Sequence, residues 1–169
     1  MVEARVAGVA LDESGQHVLL LAPIAQDPRT GKMLPIWIGA LEATSILVAI
    51  EGATPPRPLA HDLMRALLDG SGATVERVEI TRIEDGTYYA EITLVTELGI
   101  RTVDARPSDA VALASRVGAA IWIADAVMEE AGVPDLTVDG DGDEPDDTEI
   151  SVDEFTRFLN EVDPDDFRG

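Results

Sequence analysis

The sequence predicts an α+β domain, an internal duplication folded around one shared, strongly bent sheet. Three observations carry this reading. First, strand-like alternation and helix-like periodicity give three strands and two helices, and then the same series again. Second, strand–turn–helix junctions fall at matching places, Ile36-Trp37-Ile38-Gly39-Ala40-Leu41-Glu42-Ala43 and Val103-Asp104-Ala105-Arg106-Pro107-Ser108-Asp109-Ala110. Glu42-Ala43 then superposes on Asp109-Ala110, and Ile46 on Leu113. Third, a chain of 169 residues with 46% hydrophobic content can bury one core of roughly 130 residues and carry a tail.

The first half opens with a strand from Val2 to Leu11, where Val2, Ala4 and Val6 alternate with Glu3 and Arg5. Gln16 to Ile24 is a second strand. Its Val18-Leu19-Leu20-Leu21 run is apolar on both faces, which predicts a central position. Asp27-Pro28-Arg29-Thr30-Gly31-Lys32 is a turn-rich loop. Met33 to Ile38 is a third strand, and Pro35 places it at an edge or a bulge. A helix follows from Gly39 to Glu51, ended by Gly52. Pro58 to Asp69 is a second helix with Pro58 at its first position.

The second half repeats the order. Thr74 to Ile83 is a strand, Asp85-Gly86 a hairpin turn, Tyr88 to Thr96 a strand and Ile100 to Ala105 another. Pro107 to Val117 is a helix closed by Gly118. Ile121-Trp122-Ile123 is a short strand, and Asp125 to Ala131 a short helix ended by Gly132. Trp37 and Trp122, in apolar strands, read as core residues.

The organisation is then a domain over residues 1–134, an acidic linker over 135–150 and a short C-terminal helix and tail over 151–169. In the linker, Asp139, Asp141 and Asp143 mimic the opening of a calcium loop. Glu144 stands where the turn glycine belongs, however, and Ile150 where the bidentate acid belongs, so the segment does not read as an EF-hand. In the tail, Ser151 and Glu154 form a capping box. Val152, Phe155, Phe158/Leu159 and Val162 make one apolar stripe, expected to dock on the core or on a protein partner.

Composition narrows the function. The chain has no cysteine, which excludes disulfides, thiol catalysis and thiolate metal sites. The N-terminus lacks the basic and apolar regions of a signal peptide. No apolar run reaches the roughly 20 residues of a membrane span. A cytoplasmic protein without membrane contact is expected. Net charge is −21: residues 1–136 carry 20 acids and 10 bases, and residues 137–169 carry 13 acids and 2 bases. Neither part has the basic stripe of a nucleic-acid binder, and a field of this sign repels polyanions.

Two helix starts concentrate the chemistry. Pro55-Pro56-Arg57-Pro58-Leu59-Ala60-His61-Asp62-Leu63 stiffens a loop with proline and then sets an arginine, a histidine and an aspartate within six positions. Asp104-Ala105-Arg106-Pro107-Ser108-Asp109-Ala110 has the same grammar. His61 sits at the edge of its helix's apolar stripe, as a boundary histidine or as a general acid/base titrating near neutral pH, with Arg57 holding an anion. Asp62 lies on the polar face, where an acid near a helix N-terminus is stabilising. Glu42 occupies a helix apolar almost all round. It is expected to be at least half buried and to need a partner, as an ion pair, a metal ligand or a general base. Arg106 precedes a helix N-terminus, where the dipole repels a cation, and so should face an acid or an anion. Ser108 lacks the context of a nucleophile elbow. His17, near a turn, reads as a surface residue.

Leu34-Pro35-Ile36-Trp37-Ile38-Gly39 with Glu42-Ala43, then Arg57 to Leu63, then Asp104 to Ala114, together make a pattern that resembles the bifunctional nuclease domain family, over about residues 2–133. The tail from Glu154-Phe155 to Asp166-Phe167 is similar to the C-terminal extension of its actinobacterial members. The resemblance implies two β3α2 repeats forming one barrel-like mixed sheet. It also implies cleavage of DNA and RNA, an activity attributed chiefly to plant members. The family's polar motif positions carry over as Glu42, Arg57, His61, Asp62, Arg106, Ser108 and Asp109. The loop at 26–32 and the acidic charge depart from the family pattern.

Two functional expectations follow. In the first, the protein is a nuclease. Glu42, Asp62 and Asp109 hold Mg²⁺ or Mn²⁺, His61 transfers protons with Asp62, Asp109 and Glu42 around it, and Arg57, Arg106 and Ser108 bind the substrate's phosphate. In the second, it is a non-catalytic scaffold or regulatory homo-oligomer whose arginines and carboxylates pin the helix starts.

Overall fold

The computed structural model describes residues 1–25 and 31–134; most of the 26–32 loop, the acidic linker and the C-terminal helix lie outside the described residues. The first half runs β1 (Val2–Leu11), β2 (His17–Pro23), β3 (Lys32–Ile38), α1 (Ala40–Ile50) and α2 (Ala60–Gly70). The second runs β4 (Thr74–Glu84), β5 (Thr87–Thr96), β6 (Gly99–Ala105), α3 (Pro107–Val117), β7 (Ala120–Ile123), α4 (Asp125–Ala131) and β8 (Val133–Pro134). Each half is an antiparallel three-stranded meander followed by two helices, and the second inserts β7 between its helices.

The domain is mixed α+β, with one eight-stranded sheet in the order β6-β5-β4-β7-β1-β2-β3-β8. β7 joins the halves: it pairs parallel with β4 and antiparallel with β1. The halves therefore share one core rather than folding independently. The sheet is mixed but not closed, since β6 and β8 end it without pairing to each other. Among the described residues, the edge beyond β3 is finished by β8, whose two residues pair with Lys32 and Met33.

Local chemistry accounts for most boundaries. β2 is apolar on both faces because both are packed. Leu19 and Leu21 enter the main core under the helices, while Val18 and Leu20 join Met33 and Trp37 in a smaller cluster on the opposite face. At the β4–β5 turn, Asp85 and Gly86 both have positive φ, 50° and 76°, the two-residue hairpin geometry that an Asp-Gly pair adopts cheaply. α3 stops at Gly118, whose φ of 71° allows its N–H and that of Ala119 to bond back to the Ala114 carbonyl. α2 starts two residues later than proline grammar suggests. Leu59 is its extended N-cap, and Asp62 accepts the Leu59 N–H at 2.8 Å. The tryptophans also depart from expectation, since each is only partly buried. Trp37 donates its indole N–H to Asp12 at 3.1 Å.

α3 is the most buried helix: Ala110 to Ala114 are all inside. It packs on α1 and α2 above the sheet. This stacking brings three helix starts from both halves to one place.

Candidate active site at the paired helix starts

Glu42 and Asp109 are each the third residue of their helix, α1 and α3, and both point at the arginine that opens α3. Arg106 Nη1 lies 3.0 Å from Glu42 Oε1. Its Nε and Nη2 donate to the two oxygens of Asp109 at 2.7 and 3.1 Å. One guanidinium thus bridges carboxylates from the two halves of the duplication, the planar fork geometry that arginine suits. Hydrogen bonding and charge from Asp109, then Glu42, raise the Arg106 pKa. The sequence expectation that Arg106 faces an acid and Glu42 has a partner is met by a single contact.

His61, second residue of α2, is buried between the other two helices. Its Nε2 lies 3.1 Å from Asp109 Oδ1, and its Nδ1 lies 2.8 Å from the hydroxyl of Ser45 on α1. An ionised carboxylate accepts only, so in neutral imidazole Nε2 carries the proton. Nδ1 is then left to accept the Ser45 hydroxyl. Burial pushes the Asp109 carboxyl up, but the hydrogen bonds and charges of Arg106 and His61 outweigh it and hold the pKa below 3.8. The result is a continuous chain, Glu42–Arg106–Asp109–His61–Ser45. It opens on a cleft of about 440 Å³ with Leu41, Leu59 and Met64 on its apolar side.

Asp62 turns away from this cleft. Besides Leu59 N–H, it accepts Arg116 Nε at 2.6 Å. Arg116 also donates Nη1 to the Ser45 and Ala112 carbonyls at 3.0 and 2.9 Å. Its side chain is 5% exposed, and its Nη2 has no hydrogen-bond partner among the described residues. Arg116 therefore clasps α1, α2 and α3 from below. The Arg116 hydrogen bond, followed by the Leu59 N–H, holds the Asp62 carboxyl below 3.8. This pair lines a separate cavity of about 420 Å³.

Of the residues singled out in the sequence, the structure brings together Glu42, His61, Arg106 and Asp109. It separates Asp62, which serves the Arg116 clasp. Arg57 is exposed on the loop before α2 and lines neither cavity. Ser108 is buried on α3, away from the cleft. Glu42, Asp62 and Asp109 do not converge on one point, and no group of three or more acids or histidines placed to hold a metal occurs among the described residues. Sequence reasoning missed Ser45 and Arg116. The one signal in the chain was position: Ser45 lies one place before the buried Ile46 of α1, and Arg116 sits in the last turn of the largely buried α3.

The family model of the bifunctional nuclease domain matches residues 24–135. The chain is also 41% identical over 173 residues to the uncharacterized protein Rv1829 of Mycobacterium tuberculosis strain H37Rv, covering 100% of this chain and 99% of the relative. The uncharacterized protein MT1877 of strain CDC 1551 matches to the same extent. The fold is thus that of a duplicated α+β domain with a charged cleft at its helix starts. The chain belongs to the bifunctional nuclease domain family.

Proposed function

We propose that this chain cleaves phosphodiester bonds, with His61 as the proton-transfer group. The observation that supports it is the Asp109–His61–Ser45 chain opening on a cleft. Asp109 fixes the imidazole's orientation and tautomer, leaving Nδ1 basic toward Ser45. A positioned imidazole, with one nitrogen protonated and the other free to accept, can both take and return a proton. Arg106 is 65% exposed, so it can exchange a carboxylate partner for a phosphate oxygen as substrate enters. Arg57, which makes no ion pair or hydrogen bond among the described residues, supplies a second cation from the loop that leads into α2. Family membership supports the same reaction class, with DNA and RNA as substrates. The acids present do not fit a resident divalent cation while Arg106 occupies Glu42 and Asp109, so no step here runs through Mg²⁺ or Mn²⁺.

The test is cleavage of single- and double-stranded DNA and RNA with Mg²⁺, Mn²⁺ or EDTA, comparing wild type with His61→Ala and Asp109→Ala. Cleavage reduced about 100-fold or more by His61→Ala supports the reading. Wild-type inactivity on all four substrates, or activity unchanged in both variants, overturns it.

A second reading has its own observation. Arg106 is matched by two carboxylates and Arg116 by a third, an arrangement that pins three helices without any chemistry. The net charge of −21 also opposes nucleic-acid binding. A non-catalytic scaffold or regulatory protein would show no cleavage, together with a loss of stability when Arg106 is removed.

A further inference from the structure

Between α2 and the β5–β6 end of the sheet runs an apolar groove of about 360 Å³. Met64 and Leu67 of α2, Ile92 and Leu94 of β5, Val103 of β6 and Leu113 of α3 line it. Leu67 is 64% exposed and Val103 44%, so no described element covers them. At one end the Ser71 hydroxyl already donates to the Leu68 carbonyl at 2.9 Å. The other lining side chains are apolar, which suits the apolar face of a helix and not a nucleotide.

Arg101 stands on the rim of this groove. It pairs with Leu94 across the β5–β6 ladder and lies two positions from Val103, so it shares their face of the sheet. It is exposed and makes no ion pair among the described residues.

We infer that the groove is the docking site of the chain's own segment 152–162, which lies outside the described residues. Four observations select this occupant. The segment carries an apolar stripe, Val152, Phe155, Phe158/Leu159 and Val162, after the Ser151–Glu154 capping box. Its length matches: as a helix, Val152 to Val162 spans about 15 Å, against about 10 Å from Met64 to Ser71 along α2. The connection reaches. The 17 residues from 135 to 151 extend up to about 56 Å, and the seven strand steps from β8 to β6 cover about 34 Å. The charges match locally, because residues 137–169 carry 13 acids and the rim offers Arg101. Body and tail are both acidic overall, so apolar contact drives the docking. The covalent tether favours the chain's own segment over a free partner by raising its effective concentration to about the millimolar range. Met64 also lines the His61 cleft, so the docked segment borders the proposed active site.

The chain has no cysteine, so one introduced thiol can carry a nitroxide label on the full-length protein. Glu97→Cys places it at the exposed β5–β6 turn beside the groove, and Glu13→Cys at the exposed β1–β2 turn, away from it. In isotope-labelled protein, the label at 97 should erase amide NMR peaks of residues 152–162, and the label at 13 should leave them. Leu67→Lys/Val103→Lys in the Glu97→Cys background should restore the peaks. Both side chains are exposed, so the circular dichroism of this variant should match wild type. Mixing nitroxide-bearing chains without isotope with isotope-labelled chains without nitroxide should erase nothing, since the contact is within one chain. Three results overturn the inference. They are tail peaks untouched by the label at 97, peaks still erased in the Leu67→Lys/Val103→Lys background, and peaks erased in the mixture, which would place the segment on another copy. Failure here leaves the nuclease reading untouched, because that is read from cleavage alone.

Discussion

His61 Nε2 and Asp109 Oδ1 stand 3.1 Å apart although 48 positions separate them in the chain. The contact crosses the duplication. It ties the start of α2 in the first half to the start of α3 in the second, and it fixes which imidazole nitrogen faces Ser45. The chemistry proposed for the cleft depends on that orientation.

If the imidazole works through this orientation, Asp109→Asn should remove most activity while keeping the shape. An amide can present its NH₂ to Nε2 and reverse the tautomer, turning Nδ1 into a donor. The expected result is a loss of about 100-fold or more in cleavage, with a far smaller change in the melting curve. Equal activity for Asn and Asp at this position would show that the tautomer does not matter.

Ser45→Ala removes the hydroxyl that His61 Nδ1 accepts inside the protein. It should cost about 1 kcal/mol of stability, read as a lower urea midpoint at unchanged slope. A loss of cleavage much larger than this change predicts would mark the hydroxyl as part of the reaction.

The Asp62–Arg116 pair should respond asymmetrically. Asp62→Ala strands a cation that is 5% exposed and should destabilise by about 3 kcal/mol. Arg116→Met replaces the buried charge with apolar volume and leaves Asp62, 30% exposed, to water and the Leu59 N–H. It should cost less. Urea unfolding of the two variants checks the order.

Asp62 and Asp109 both have pKa values lowered from 3.8 by folding. A carboxyl with a depressed folded pKa gives stability that is complete above its unfolded value and is lost as pH falls through its folded value. Wild type should therefore lose stability as pH drops below 3.8. Asp62→Asn, less stable at neutral pH, should show a shallower decline over that range. Parallel pH profiles for the two proteins would contradict the pairing.

Gly39, the N-cap of α1, has ordinary dihedral angles (φ −75°), yet a Cβ there would collide with the Glu42 carboxylate. Because Arg106 pins that carboxylate, Gly39→Ala should break the Glu42–Arg106 contact and lower stability by about 1 kcal/mol. Gly8→Ala, with open space around the position, should be near neutral. Thermal melts of the pair test this.

Strand and helix order, the two Gly-terminated helices of the second half and the Asp-Gly hairpin were legible in the chain because they follow from contacts within a few residues. Pro35 also read correctly: outward of β3, β8 reaches only Lys32 and Met33. The start of α2 was misplaced because Asp62 caps Leu59, an i to i+3 side-chain choice that competes with proline at the first position. The tryptophans were overestimated as core because periodicity reports an apolar face, not whether another layer covers it.

The sequence by itself determined which residues carry charge at the helix starts, and the 3.6- and two-residue periods that make those starts. Tertiary structure decided how they combine. Glu42, His61, Arg106 and Asp109 share a cleft because α1, α2 and α3 stack on one sheet. Asp62, one position from His61, points elsewhere because successive helix residues are turned by about 100°, and Arg116 waits on that side. Ser45 and Arg116 stayed hidden for the same reason: their partners lie 16 and 54 positions away, beyond the reach of any local pattern.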